Sequence, residues 1–223
     1  MGGDVTTTLL VLTDGRADCL ARTLESASVA LPLFDDYLVV NDCPDPAYGE
    51  WITDRWPEFR QLPPEPRKRG FGGAIQAGWD AIGPGDGWVF HLEDDFIFDE
   101  LVPVARMAHL LERYLHLAQV CLVRQPWNEE ERAAGSLVGA HPDAYTDRDD
   151  DGIGPWLEHR RCFSTNPCLY RRSLLRYGWP TGKHSEGVFT HQLREKGYSF
   201  AYWGARGERQ VTHIGDVRTG VGY

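Results

Sequence analysis

The chain has 223 residues, of which 42% are hydrophobic and 25% are charged. This length and composition fit a globular protein with a sizeable core and exclude a fibrous or a disordered chain. No apolar run approaches the roughly 20 residues that cross a bilayer, and the formal net charge of −10 disfavours indiscriminate binding to nucleic acid.

The first part of the chain shows the pattern of a β-α-β unit. Residues 8–15 (TLLVLTDG) form an apolar run that ends in Asp-Gly, which is typical of a buried parallel strand. Residues 17–30 place apolar side chains at helical spacing, and residues 36–45 form a second apolar run. A sheet of this kind binds ligands at the carboxyl ends of its strands. Those ends carry Thr13, Asp14, Arg16 and Asp42.

The middle of the chain alternates helices and strands. The pattern predicts a short helix over 51–59, a proline-rich link, and a helix after the basic, glycine-rich turn at 67–73. A buried strand follows over 87–92. We then expect a long helix over 99–118 and a strand over 120–125.

The last part of the chain has a different character. Residues 126–160 are polar and rich in turn formers, which predicts an active-site or acceptor loop. A short strand and a helix are expected over 164–180, a helix and an aromatic strand over 185–204, and a last strand ending at His213. This order predicts a single α/β domain over 1–223, with a mostly parallel mixed sheet flanked by helices.

Three consecutive carboxylates, Glu93, Asp94 and Asp95, follow the strand at 87–92. Neighbouring carboxylates at the end of a strand form an oxygen-rich site that suits Mg²⁺ or Mn²⁺. A bound ion would neutralise their repulsion and bridge the oxygens of a diphosphate. The alternative is a helix start, because acidic residues favour a helix N-terminus.

With these motifs in this order, the chain resembles the GT-A glycosyltransferases, especially those like glycosyltransferase family two. The segment LEDDF is similar to the Glu-Asp-Asp form of their Asp-x-Asp motif. The resemblance covers about residues 8–218 and includes TDGRADCLARTLES, VVND, RGFGGAIQAGWDAI, SEGVFTHQLREKGYSFAYWG and VTHIGD. It implies a Rossmann-like GT-A domain with a nucleotide-binding half at about 1–98 and an acceptor and catalytic half at about 99–223.

The resemblance also implies a metal-dependent, inverting transfer of a sugar from a nucleotide-diphosphate sugar, UDP-sugar favoured, to an acceptor hydroxyl. Glu186 would be the general base, and Asp95 and His213 would bind Mn²⁺ or Mg²⁺. Arg16 and Arg69 would approach the base or the diphosphate. The full set implied for the nucleotide sugar is Thr13, Asp14, Arg16, Asp42, Arg69, Gly70, Gly73, Glu93 and Asp94. Trp127, Trp156 and Arg218 are candidate contacts for the acceptor.

Several of these residues have a structural alternative. Asp14 and Asp42 could be turn formers after strands, and Glu186 could be a capping acid at the start of a helix. His213 could be a half-buried histidine of the core.

Two other functions stay open. A sugar nucleotidyltransferase also uses carboxylates and a metal, but TDGRADCL lacks the lysine that usually ends its first loop. A non-catalytic nucleotide-sugar-binding module would leave the combination of Glu186, Asp95 and His213 without a purpose.

The acceptor is open as well. A soluble metabolite, a glycan, a protein or a hydroxymethylated DNA pyrimidine of a phage would fit, with the basic pairs at 160–161 and 171–172 on DNA phosphates. Residues 1–16 lack the basic start and the cleavage site of a signal peptide, so we expect a cytoplasmic protein without a membrane partner.

Overall fold

A nine-stranded mixed sheet is the centre of the fold in the computed structural model, which describes residues 6–215. The strands in chain order are β1 (Thr7–Thr13), β2 (Asp36–Asn41), β3 (Arg60–Leu62), β4 (Trp88–Glu93), β5 (Phe96–Phe98), β6 (Leu117–Cys121), β7 (Tyr145–Arg148), β8 (Trp156–His159), β9 (Cys168–Arg171), β10 (Ser199–Trp203) and β11 (Val211–His213). The large sheet has the order β3-β2-β1-β4-β9-β6-β10-β8-β7, and β5 pairs separately with β11.

Residues 6–215 contain six α-helices. They are α1 (Ala17–Ala27), α2 (Pro46–Arg55), α3 (Gly70–Ile82), α4 (Val104–Arg113), α5 (Glu129–Ala133) and α6 (Ser185–Glu195). Alternate residues of β1 enter two hydrophobic clusters, Leu9 and Val11 one of them and Leu10 and Leu12 the other. The first cluster includes side chains of α1 and α4, and the second includes side chains of α3 and α6. The predicted α/β fold is therefore confirmed.

The parallel half of the sheet explains where the predicted site residues meet. Strands β2 and β4 lie on either side of β1 and run parallel to it, with Thr13 opposite Asn41 and Leu12 opposite Glu93. All seven residues of β1 are buried, as expected for a strand covered by helices on both faces. The register brings the residues after these three strands to one edge of the sheet.

The two-stranded sheet joins the last described residues to the acidic triplet. His213 pairs with Phe96 across β11 and β5, and the amide of Ile214 donates to the carbonyl of Asp95 at 2.8 Å. His213 is thereby brought beside Asp95.

Some predicted boundaries are wrong. Helix α2 begins at Pro46 rather than near residue 51, because Asp45 accepts a hydrogen bond from the Ala47 amide and proline suits the first helical position. The helix expected over 99–118 is only Val104–Arg113, since Pro103 directly precedes the helix and strand β6 already begins at Leu117. The strand expected at 120–125 is Leu117–Cys121.

The segment at 126–160 is more regular than predicted, because it contains α5, β7 and β8. Trp156 lies on β8, opposite Trp203 of β10, and is 3% exposed. Its ring packs against Tyr114 with 5.0 Å between centroids. The prediction that Trp156 stacks on an acceptor is therefore wrong, because the ring belongs to the core. Arg218, which was also predicted to contact the acceptor, lies beyond the described residues.

Among residues 6–215, no helix combines the length and the apolarity that crossing a membrane requires.

Candidate active site

A cavity of about 1080 Å³ lies beyond the carboxyl end of β4. Its wall includes the start of α3, the start of α6 and the tip of β11. Seven of the predicted site residues line it: Arg69, Gly70, Gly73, Glu93, Trp127, Glu186 and His213. Residues from both predicted halves of the chain thus share one concave site, which is the usual form of a site for a small ligand.

Asp94 and Asp95 are fully buried just behind this cavity, and the guanidinium of Arg16 contacts both carboxylates. Its Nη1 donates to Asp95 Oδ2 at 2.6 Å, and its Nη2 makes a short contact with Asp94 Oδ1. Its Nε donates to Asp14 Oδ1 at 3.1 Å. A buried carboxylate without a partner is strongly unfavourable. Arg16 therefore supplies the positive charge that allows two adjacent acids in the interior.

The two buried acids differ in their affinity for a proton. Burial raises the pKa of Asp94 to about 7, although Arg16 and Thr13 oppose this shift. Burial also acts to raise the pKa of Asp95, but the hydrogen bond and charge of His213, together with Arg16, outweigh it and lower this pKa below its usual value. The contacts of His213 and Arg16 thus favour the ionised form of Asp95, and a carboxylate must be ionised to bind a cation.

Neighbouring hydroxyl groups fix the acidic turn. Thr13 Oγ1 donates to Asp94 Oδ2 at 2.7 Å and also contacts the hydroxyl of Tyr48. Thr23 Oγ1 donates to the carbonyl of Asp94 at 2.8 Å and accepts from the amide of Phe96 at 3.1 Å. The nucleotide contacts of Thr13 and Asp94 stay predictions, because both side chains face protein groups here.

Asp42 connects β2 to the start of α3. Its two carboxylate oxygens accept from the amides of Arg69 and Gly70, at 2.6 and 2.9 Å. Gly70 has a φ of +71°, which favours glycine and starts the helix sharply. Asp42 thus holds the glycine-rich turn at the cavity wall. Asp14 is exposed nearby, where its carbonyl accepts from Lys68 Nζ at 3.2 Å.

Asp95 and His213 together fit a divalent cation. His213 Nε2 lies 3.3 Å from Asp95 Oδ2, while Asp95 Oδ1 and His213 Nδ1 are buried without a hydrogen-bond partner among the described residues. Carboxylate oxygen suits Mg²⁺ and Mn²⁺, and imidazole nitrogen is a common ligand of transition metals. A Cβ atom on Gly215 would lie 2.2 Å from Asp95 Oδ2, so only glycine fits at this close approach.

The ion would take few ligands from the protein. Within residues 6–215, no group of three or more His, Cys, Asp or Glu side chains is arranged to hold a metal. Water and phosphate oxygens of a ligand would have to complete the coordination shell. A coordination shell shared between a few protein ligands, water and phosphate oxygens is typical of Mg²⁺ sites that bind phosphorylated substrates.

Glu186 lies in the first turn of α6 and faces the cavity. Its Oε1 accepts from the amide of Thr165 at 3.0 Å and from the hydroxyl of the same residue at 2.9 Å. Its Oε2 accepts no hydrogen bond from residues 6–215. The preceding His184 has a left-handed backbone with φ 59°, an uncommon conformation that histidine tolerates better than most residues. One fixed and one available oxygen allow Glu186 to accept a proton from a ligand.

Several residues around this site were not predicted from the sequence. Thr165 donates a hydrogen bond to Glu186, and Gln125 donates one to the backbone carbonyl of His213. Glu131 lines the same cavity. Only Glu131 had a usable signal, because Asn128-x-x-Glu131 matches the pattern of a capping box. In the structure the Glu131 amide donates to Asn128 Oδ1 at 2.8 Å, and Asn128 Nδ2 donates to the Glu131 carboxylate at 3.1 Å.

No protein-family model matches the sequence, and no curated protein matches it. Solved structures do match. GalNAc-T7 with UDP, GalNAc and Mn²⁺ is similar with a TM-score of 0.64 and 9% identity, over 94% of this chain and 44% of that one. S. aureus TarS 1–349 in complex with UDP-GlcNAc gives a TM-score of 0.61 and 12% identity, over 96% and 62%. Mannosyltransferase PcManGT from Pyrobaculum calidifontis, with GDP-Man and Mn²⁺, gives 0.58 and 16%, over 93% and 62%.

These similarities confirm that the chain has the GT-A fold. At such low sequence identity they establish the fold alone. The chain spans between 44% and 62% of the length of these three chains.

Proposed function

We propose that the protein is a metal-dependent glycosyltransferase, which moves a sugar from a nucleotide-diphosphate sugar to an acceptor hydroxyl. One observation carries the proposal: a single cavity unites Glu186, His213 and the glycine-rich start of α3, with Asp95 directly behind His213. The three similar structures support it, because each contains a nucleotide or a nucleotide sugar. Two of them hold a uracil nucleotide, which favours a UDP-sugar.

The donor would lie along the wall formed by Arg69, Gly70 and Glu93. Arg69 is the cation nearest to the start of α3, and glycine allows a diphosphate to approach the backbone closely. Asp95 and His213 would hold Mn²⁺ or Mg²⁺ against the diphosphate. When bound, such an ion stabilises the negative charge that develops on the leaving group.

Glu186 would act as the general base. An acceptor hydroxyl is a weak nucleophile, and Oε2 of Glu186 would accept its proton as the hydroxyl attacks the anomeric carbon. Thr165 keeps the carboxylate in one orientation during this transfer. A single attack opposite the leaving nucleotide inverts the anomeric centre, so we propose an inverting enzyme.

Donor binding gives the first prediction. We expect a UDP-sugar to raise the melting temperature in the presence of Mn²⁺ and much less in the presence of EDTA, because a ligand of the folded state alone stabilises it. GDP- and dTDP-sugars should give smaller shifts. With a competent acceptor, the product should be a nucleoside diphosphate. Release of pyrophosphate would identify a nucleotidyltransferase, and binding without turnover with any acceptor would favour a binding module.

The charges of the cavity also indicate the class of acceptor. Arg69 and Arg124 pair with Glu65 at 3.3 Å and with Glu131 at 2.7 Å. Arg161 and Lys183, which flank the side of the cavity that contains Glu186, form no ion pair with a carboxylate of residues 6–215 and are exposed. In a protein with a net charge of −10, two such cations favour an acceptor that carries phosphate or carboxylate.

A double variant tests this acceptor class. Replacing Arg161 and Lys183 by glutamine should raise KM for a phosphorylated acceptor by about tenfold or more at low salt, since each cation contributes a charge-assisted hydrogen bond. Donor affinity should not change. Arg106→Gln is the matched control, because this arginine is exposed on α4 outside the cavity.

The acceptors to compare are sugars with and without a phosphate group, and duplex DNA that contains hydroxymethylated pyrimidines. A steep loss of activity with added salt on DNA alone would assign the cations to the DNA backbone. Equal activity of the double variant and the wild type on every charged acceptor would refute the assignment.

A further inference from the structure

We propose that the segment at residues 124–131, which leads into the first turn of α5 and is called the clamp loop below, positions the imidazole of His213 for metal binding through Gln125 and Trp127. The inference rests on the proposed function, because it concerns the metal site of the same cavity. It gives Trp127 a role different from the acceptor contact that the sequence suggested.

Gln125 fixes the backbone of His213. Its Nε2 donates to the carbonyl of His213 at 2.7 Å, and its Oε1 accepts from the amide of His213 at 2.8 Å. Strand β11 has three residues, and among residues 6–215 it pairs only with β5, apart from a bridge between Val211 and Arg124. The side chain of Gln125 therefore makes the two hydrogen bonds to the backbone of His213 that a neighbouring strand would otherwise make.

Trp127 restrains the ring of His213. The two ring centroids are 4.2 Å apart, and the planes meet at 77°, an edge-to-face arrangement. Phe96 contributes a second ring at 4.8 Å. Between these rings, the imidazole keeps Nε2 aimed at Asp95 Oδ2. A histidine on a short edge strand would otherwise rotate freely about its side-chain bonds.

Glu131 in turn fixes the position of Trp127. This carboxylate is 6% exposed, and it accepts from the amide of Trp127 at 2.7 Å and from both Nη atoms of Arg124 at 2.7 and 3.3 Å. Asn128 Nδ2 donates to it at 3.1 Å. With its oxygens occupied by protein donors, Glu131 is unsuited to bind a ligand itself. Its carboxylate instead links Arg124, the backbone of Trp127 and Asn128 within the clamp loop.

Removing the contacts of the clamp loop with His213 should lower the affinity for the metal ion. Removing a group that orients a metal-ligating histidine typically weakens metal binding by about 10- to 100-fold. We expect this loss in Trp127→Ala, while Trp127→Phe should stay within a few-fold of the wild type, because a smaller aromatic ring still restrains the imidazole. Gln125→Ala is a second, independent variant, which should weaken Mn²⁺ binding without altering any ring contact.

The experiment measures Mn²⁺ binding in the presence of UDP, from the electron paramagnetic resonance signal of free Mn²⁺. UDP affinity in EDTA and the free energy of unfolding are measured for each variant. Trp203→Ala is the matched control, because Trp203 is also half-buried but lies on β10 outside the cavity lining. We expect Mn²⁺ affinity to fall in Trp127→Ala and Gln125→Ala only, with UDP affinity in EDTA unchanged.

Other results would overturn the inference. Wild-type Mn²⁺ affinity in Trp127→Ala and Gln125→Ala, with a raised KM for the acceptor, would return Trp127 to an acceptor contact. An equal loss in Trp203→Ala would show a general effect of lost packing. If the wild type itself binds UDP but no Mn²⁺, both the metal dependence of the proposed function and the proposed role of the clamp loop are refuted. The first two results leave the proposed function intact.

Discussion

Glu186→Gln should lower the turnover number by about 10²–10⁴-fold, which is the usual contribution of a general base. Glutamine has the shape of glutamate, and its amide oxygen can still accept the two hydrogen bonds from Thr165. The nitrogen that replaces Oε2 cannot accept a proton from the acceptor hydroxyl. Donor binding in the presence of Mn²⁺ should therefore persist while the chemical step is lost.

The matched control is Glu195→Gln, at the last residue of the same helix, where the carboxylate is exposed and pairs with His191. It should retain wild-type activity. Full turnover of Glu186→Gln under saturating donor and acceptor would exclude Glu186 as the base. A loss of donor binding in this variant would assign Glu186 to the donor site instead.

The parallel half of the fold could be predicted because its strands are nearly continuous apolar runs. Strand β1 is buried along its whole length, and such strands are recognisable without any knowledge of their partners. The carboxyl ends of β1, β2 and β4 then follow from the β-α-β order. The positions of Asp42 and Asp95 at one edge are a consequence of that order.

The contacts around His213 could not be predicted in the same way. Strands β5 and β11 have three residues each and are far apart in the sequence. Their pairing, like the contact of Gln125 with His213, depends on the tertiary structure and leaves no periodic pattern. Trp156 shows the opposite failure: its place in a polar segment made it a candidate contact for the acceptor, but the segment forms a strand and the ring is in the core.

The group that balances the charge of the acidic triplet also could not be predicted from the sequence. The sequence pattern predicts that a metal ion neutralises these carboxylates and that Arg16 lies near the nucleotide. The structure brings Arg16 to both buried acids, because the side chain reaches back from the loop after β1 to the end of β4. A guanidinium and an ion would thus share Asp95, and Oδ1 is the oxygen that the protein leaves without a partner. The position of the acids was predictable, but the reach of a long side chain was not.

Asp95→Asn should abolish metal-dependent turnover, with a loss of about 10³-fold or more, because metal stabilisation of the transition state is worth several kcal/mol. Asparagine keeps the volume of the side chain and one acceptor for Arg16, but it loses the negative charge that would bind the cation. Mn²⁺ binding with UDP should fall in parallel, measured by the free Mn²⁺ signal. Asp80→Asn, exposed on α3, is the control. Wild-type turnover and Mn²⁺ affinity in Asp95→Asn would remove Asp95 from the metal site, and the proposed mechanism would then lack its anionic ligand.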